Sequence, residues 1–226
     1  VNLICVAFEG LERFFPKEKI RITGNPVRNN MVAIEGKREK ALEFFGLRPD
    51  MPVLLVTGGS LGARSINQAI FESLEHIVEQ GVQVIWQTGK LFIEVANDHF
   101  GNHALVSVHP FIQKMDLAYA ASDLIVARAG AITVSEIELV NKPAILIPLP
   151  SAAEDHQTQN ALKLVEKKAA VLIPDSQAKE RLGKEVIRLM KTPELREELI
   201  SNLKSMGHSN ATERIVDEME KLWQLK

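Results

Sequence analysis

Val53-Leu54-Leu55-Val56-Thr57-Gly58-Gly59-Ser60-Leu61-Gly62-Ala63-Arg64 is the stretch that decides the fold class. Four apolar residues and a β-branched threonine run without alternation, as in a strand buried on both faces of a parallel sheet. Gly58, Gly59 and Gly62 then turn the chain into a segment of helical periodicity. The same grammar recurs downstream, where Leu124–Ala127 leads into Arg128-Ala129-Gly130-Ala131-Ile132-Thr133 and another helix-like stretch. The first turn of a helix has N–H groups without internal partners and a partial positive charge, and glycine lets an anion reach them. Two such turns in one chain predict a site for a nucleotide diphosphate.

Outward from these turns, apolar runs at Val82–Trp86, Ala104–Val108, Ala144–Pro148 and Ala170–Ile173 alternate with helix-like segments. The alternation predicts an α/β fold, a Rossmann-like parallel sheet with helices on both faces. The helices are expected at Lys37–Phe45, Ala63–Glu79, Met115–Ala121, Thr133–Leu139, His156–Glu166, Lys179–Lys191, Pro193–Met206 and Ala211–Leu225. Thr192-Pro193 and Asn210-Ala211-Thr212-Glu213 read as N-terminal caps of the last two. Residues 1–30, with a strand at Asn2–Phe8, read as a short segment distinct from a main domain at 31–226. Because the chain opens directly in that strand, it reads as a piece of a longer protein.

The 226 residues, 46% apolar and 25% charged, suffice for one large core or two small ones. A formal net charge of -2 gives no indication of a nucleic-acid partner. Cys5 is the only cysteine, which excludes a disulfide framework and a thiolate metal site and predicts an inert thiol buried in a strand. No apolar run approaches the roughly 20 residues that span a bilayer, and no signal peptide is visible. Any membrane contact is therefore expected to be peripheral. In the last predicted helix, the spacing of Ile215, Met219, Leu222 and Trp223 predicts a core-facing stripe in preference to a membrane-surface helix.

Three nucleotide-binding readings compete for the first glycine turn. A Walker loop needs Gly-x-x-x-x-Gly-Lys-Ser/Thr, which does not occur. A dinucleotide-binding unit wants an acidic residue at the end of the second strand, where this chain has Trp86-Gln87-Thr88-Gly89. The third reading uses Glu136, six residues after Gly130 in the first turns of the second glycine-initiated helix, to hold the ribose of one mononucleotide spanning both turns. A rival of another class treats Gly58–Gly62 as a Gly-x-Ser-x-Gly nucleophile elbow, with Ser60 as nucleophile, Asp123 or Asp155, and a later histidine such as His208. That fold places several strands before its elbow, whereas only a short leader precedes Val53 here.

Four segments carry a family resemblance over nearly all of the chain: Thr23-Gly24-Asn25-Pro26-Val27-Arg28, Gly58–Arg64, Arg128–Glu136 and Asp155-His156-Gln157-Thr158-Gln159-Asn160-Ala161. They resemble, in the same order, the donor half of the MurG family. These bacterial transferases move N-acetylglucosamine from UDP-N-acetylglucosamine onto lipid I to make lipid II in peptidoglycan synthesis. The resemblance implies one half of a GT-B glycosyltransferase, with residues 1–30 as a remnant of the amino-terminal acceptor domain and its connection. It implies that Arg28 reaches the donor, that Ser60 with the amides around Gly59 and Gly62 contacts the diphosphate, and that Ile112 meets the uracil. Ala131, Ile132, Thr133, Val134, Ser135 and Glu136 should contact the nucleotide, Glu136 through the ribose. Gln157 should recognise the sugar, with His156 and Asn160 beside it; His156 departs from relatives that have glutamine there.

Displacing UDP leaves negative charge on the β-phosphate, which amide dipoles and Arg128 can stabilise. No Asp-x-Asp pair occurs and the six histidines lack ligand spacing, so donor binding is expected without a metal or cofactor. The base that activates the acceptor hydroxyl, and the lipid I site itself, should belong to the opposite domain, leaving this half inactive alone. In the full protein the resemblance implies a cytoplasmic, peripheral place on the inner face of the plasma membrane. Two alternatives keep the nucleotide: half of a UDP-N-acetylglucosamine 2-epimerase, or a non-catalytic subunit of a split transferase.

Overall fold

The computed structural model describes residues 1–7, 10–12, 14–206 and 210–224; Phe8, His208, Leu225 and Lys226 lie outside the described residues. Two parallel sheets are present. The smaller pairs β1 (Ile4–Val6) with β2 (Ile20–Ile22). The larger comprises β3 (Val53–Thr57), β4 (Gln83–Gln87), β5 (Val106–His109), β6 (Leu124–Ala127), β7 (Ala144–Leu146) and β8 (Val171–Leu172) in the order β5-β4-β3-β6-β7-β8.

Every residue of β3 is buried, and the strand alternates between two cores, which explains its uninterrupted apolar run. Val53 and Leu55 face one core with α2 (Arg38–Phe45), α5 (Met115–Ala121), α6 (Ala131–Val140) and α7 (His156–Glu166). Leu54 and Val56 face the other, built by α3 (Arg64–Glu79), α4 (Ile93–Phe100) and α8 (Ala178–Lys191). α9 (Pro193–Ser205) contributes Leu203 to the first core and Leu199 to the second. Each such side chain stabilises the fold by roughly 1.5–3 kcal/mol on full burial.

The chain lays down β3, β4 and β5 outward in one direction, then returns to place β6 on the other side of β3. In an open α/β sheet that reversal leaves a crevice outside the carboxyl ends of the two central strands. The two glycine turns follow those two strands, β3 and β6.

Several elements differ from expectation. α4, β2 and the short α1 (Asn29–Val32) were not foreseen, and α1 spans the junction drawn at Asn30. Thr192 makes no side-chain capping bond, although Pro193 does open α9. Cys5 is exposed rather than buried: its neighbour Val6 in β1 is buried, and successive side chains of a strand point to opposite faces, which leaves Cys5 on the uncovered face of the two-stranded sheet. The stripe on α10 (Ala211–Gln224) does not enter a core: Met219 is 56% and Trp223 78% exposed. α10 lies beside the small sheet, where Glu218 meets Arg21 at 3.4 Å, and Met219, Leu222 and Trp223 share a shallow cavity with Asn2. Among the described residues, no helix is long and apolar enough to cross a membrane.

Candidate functional site

At the carboxyl ends of the central strands lies an open cavity of about 830 Å³, lined by Gly58–Ser65, Gln68, Arg128, Gly130, Thr133, Leu149, Gln157, Asp175 and Lys179. The amino termini of α3, 16 residues long, and of α6, 10 residues long, both open onto it, and neither has a side-chain cap. Orphan amides of two helices thus face one space, with the positive ends of both dipoles.

Within the first turn, Gly62 N–H donates to the Gly59 carbonyl at 3.0 Å and Gly59 N–H to Thr57 Oγ1 at 3.3 Å, so these two amides hold the turn itself. The amides of Ser60, Leu61, Ala63 and Arg64 have no protein partner among the described residues. Gly59 sits at φ +85° with open space where a Cβ would stand. Gly62, at φ +78°, is a different case: a Cβ there would lie 2.1 Å from the Thr88 carbonyl oxygen. The β3–α3 turn and the β4–α4 turn therefore touch backbone to backbone. Gln87 ties the same pair together, donating from Nε2 to Thr57 Oγ1 at 3.1 Å and to the Gly59 carbonyl at 2.8 Å. Where a dinucleotide-binding unit would carry a ribose-binding acid, this chain has an amide that braces the glycine turn.

In α6, Val134 N–H donates to the Gly130 carbonyl at 2.9 Å, which leaves the amides of Ala131–Thr133 as the free ones of that turn. Arg128, whose side chain is 13% exposed, donates from Nη1 to the carbonyls of Ile147 and Pro148 and to Asp175 Oδ1, and from Nη2 to Ser65 Oγ at 3.0 Å. Ser65 Oγ also donates to Asp175 Oδ1 at 2.5 Å. Arg128 is thus not a free cation at the cavity but half of a partly buried ion pair, since Asp175 follows β8 beside it. Arg64 and Lys179 add positive charge at the rim, Lys179 pairing with Glu72 at 2.9 Å. The cavity wall can hold a dianionic group by amides and guanidinium together.

Of the residues singled out in the sequence, the cavity brings together Gly59, Ser60, Gly62, Arg128, Thr133 and Gln157. Gln157 Oε1 accepts from Leu149 N–H at 3.0 Å, which fixes the amide at the wall. Glu136 lies one turn beyond Thr133, half-buried, accepting a 2.7 Å bond from Tyr119 Oη. Burial raises the Glu136 carboxyl above its ordinary value, and burial with the adjacent Glu136 charge raises the Tyr119 phenol. Ile112 has its side chain in the core and its N–H donated to Gln87 Oε1 at 2.8 Å. Asn160 is buried and donates to the Ala129 carbonyl at 3.1 Å, while Val134 and Ser135 face a separate small cavity toward Asn25 and Lys163. Ile132 and His156 are exposed, and Arg28 is exposed outside the cavity.

The hydrolase alternative loses one of its two candidate acids. Asp123 precedes β6 at the opposite end of the sheet from Ser60, where its carboxylate accepts from Arg38 and from Val53 N–H.

Residues 53–215 match the model of the glycosyltransferase family 28 C-terminal domain. The chain belongs to that family. Over 219 residues it is 48% identical to the UDP-N-acetylglucosamine--N-acetylmuramyl-(pentapeptide) pyrophosphoryl-undecaprenol N-acetylglucosamine transferase of Cytophaga hutchinsonii, a match covering 97% of this chain and 59% of that protein. The chain therefore spans well under two thirds of this curated relative. The crystal structure of Acinetobacter baumannii MurG aligns with 97% of the chain and 60% of its own length, at 28% identity and a TM-score of 0.69. A UDP-N-acetylglucosamine 2-epimerase structure aligns with 96% of this chain and 55% of its own, at 20% identity and a TM-score of 0.63, which establishes a shared fold. The sequence relationship within family 28 therefore favours a glycosyltransferase half over an epimerase.

Asp175, Ser65, Gln68 and Lys179 are cavity residues that the sequence reading missed. Ser65 and Asp175 stand 110 positions apart and meet only because α3 packs on α8.

Proposed function

We propose that this chain is the donor-binding half of a transferase that moves N-acetylglucosamine from UDP-N-acetylglucosamine onto lipid I. The carrying observation is the convergence of two uncapped helix amino termini on one cavity with a guanidinium in its wall. The diphosphate bridges these termini, contacting Ser60 and the free amides of Ser60, Leu61 and Ala131–Thr133. Glu136 binds the ribose, the Ile112 backbone meets the uracil, and Gln157 with His156 and Asn160 forms the sugar end. Arg128 and the amide dipoles stabilise the charge that develops on the β-phosphate as UDP departs, a fixed electrostatic arrangement requiring no reorganisation.

Leu61, Leu91 and Phe111 are exposed on neighbouring loops at this edge of the sheet, and Ile132 is exposed in the first turn of α6 beside them. Exposed apolar groups clustered around a cleft suit a surface that another domain closes over. That domain supplies the base, the lipid I site and the peripheral membrane contact, and residues 1–30 belong to its junction, with Arg28 reaching the donor from there.

Substituting Ser60 tests the phosphate assignment. Ser60→Ala weakens UDP binding by about tenfold or more, the worth of one charge-assisted hydrogen bond, and leaves uridine binding unchanged. Equal losses for UDP and uridine in calorimetric titrations would remove Ser60 from the phosphates.

A further inference from the structure

We infer that Asp175 is a specificity-determining residue of the cavity: it pins Arg128 and Ser65 and limits the negative charge the site accepts. The inference rests on the donor-site reading above. Asp175 is the only carboxylate among the described residues that line the cavity, against three cations, Arg64, Arg128 and Lys179. Lys179 is already paired with Glu72, outside the lining. One oxygen of Asp175 receives both Arg128 Nη1 and Ser65 Oγ, so the carboxylate sits between the first turn of α3 and the guanidinium, a position that would otherwise favour an incoming anion.

This arrangement separates two ligand classes that share the same uridine and the same first two phosphates. A diphosphate capped by a neutral sugar presents two negative charges, and Arg128 with the orphan amides can meet them. A triphosphate brings further charge into the space beyond the β-phosphate, where the fixed carboxylate of Asp175 repels it in a partly water-excluded wall. The sugar instead presents hydroxyl donors, which a carboxylate and the Gln157 amide can accept or orient. Asp175 thereby favours a nucleoside diphosphate sugar over a nucleoside triphosphate.

Calorimetric titration of the wild-type chain, Asp175→Asn and Ser65→Ala with UDP, UDP-N-acetylglucosamine and UTP tests this. Asparagine keeps the size and one acceptor for Ser65 and Arg128 while deleting the charge. The expected result is a rise of roughly tenfold in UTP affinity relative to UDP-N-acetylglucosamine in Asp175→Asn. Ser65→Ala, which retains the carboxylate, should keep the wild-type preference. Parallel changes for all three ligands in Asp175→Asn would make Asp175 a structural support only and overturn the inference, leaving the donor-site reading intact. Failure of the wild type to bind UDP would overturn both.

Discussion

Gly62→Ala destabilises the domain by roughly 3 kcal/mol or more, combining a side chain forced to positive φ with an overlap that has no exit. The added Cβ would stand 2.1 Å from the Thr88 oxygen and 3.1 Å from Gly89 Cα, both backbone atoms that cannot rotate away. Gly89 reciprocates, since its own Cβ would lie 2.2 Å from the Leu61 carbonyl oxygen. Relief requires the β3–α3 turn to lift from the β4–α4 turn, which displaces Ser60 and the free amides beside it. For a chain of this size the loss corresponds to a fall of about 6–12 °C in Tm. Gly59→Ala is the control: φ is also positive, +85°, but nothing lies within 4 Å, so only the backbone strain of about 1–2 kcal/mol remains. Thermal unfolding of the two variants should therefore differ clearly. Equal Tm values for Gly62→Ala and the wild type would show that the two turns do not interlock.

Glu136→Ala weakens UDP binding by more than about tenfold, because hydrogen bonds from ribose hydroxyls to a partly buried carboxylate are worth roughly 1.5–3 kcal/mol. Alanine also leaves the buried Tyr119 hydroxyl without its acceptor. Glu136→Gln separates the two effects, since its amide oxygen can still accept from Tyr119. A carboxyl raised by burial penalises the ionised form in the folded chain, so above that raised value its charge costs stability. Glu136→Gln should accordingly match or exceed the wild type in Tm at neutral pH while binding uridine less tightly. The pH dependence has the corresponding sign: uridine affinity falls as pH drops through the raised Glu136 value, and Glu136→Gln abolishes the dependence. Uridine is the appropriate probe because it has no phosphate to titrate. Undiminished affinity in both variants would remove Glu136 from the ribose.

The parts of this architecture that were legible in sequence are those written locally. β3 and β6 are continuous apolar runs because both faces are covered, and the glycine turns after them carry their own conformational requirement. Glu136 and Gln157 could be proposed as donor contacts from nearby motifs. α4 was missed although Phe92, Ala96 and Phe100 recur at helical spacing, because its amino terminus has no capping side chain to announce it. The α10 row was visible, but periodicity specifies a face and not what covers it; its exposed Met219 and Trp223 depend on the placement of the helix beside the small sheet. Cys5 failed for the same reason, since strand character does not reveal which face of the strand is covered. The Arg128–Asp175–Ser65 cluster is wholly tertiary, joining the ends of β6 and β8 to the first turn of α3.

Calorimetric titration of this chain with UDP, UDP-N-acetylglucosamine and NAD, without added metal, tests the central claim most directly. Binding of both uridine nucleotides with no heat from NAD is the predicted result. Binding of NAD in preference to them, or no binding of either uridine nucleotide, would contradict the assignment of the cavity to a UDP-sugar donor.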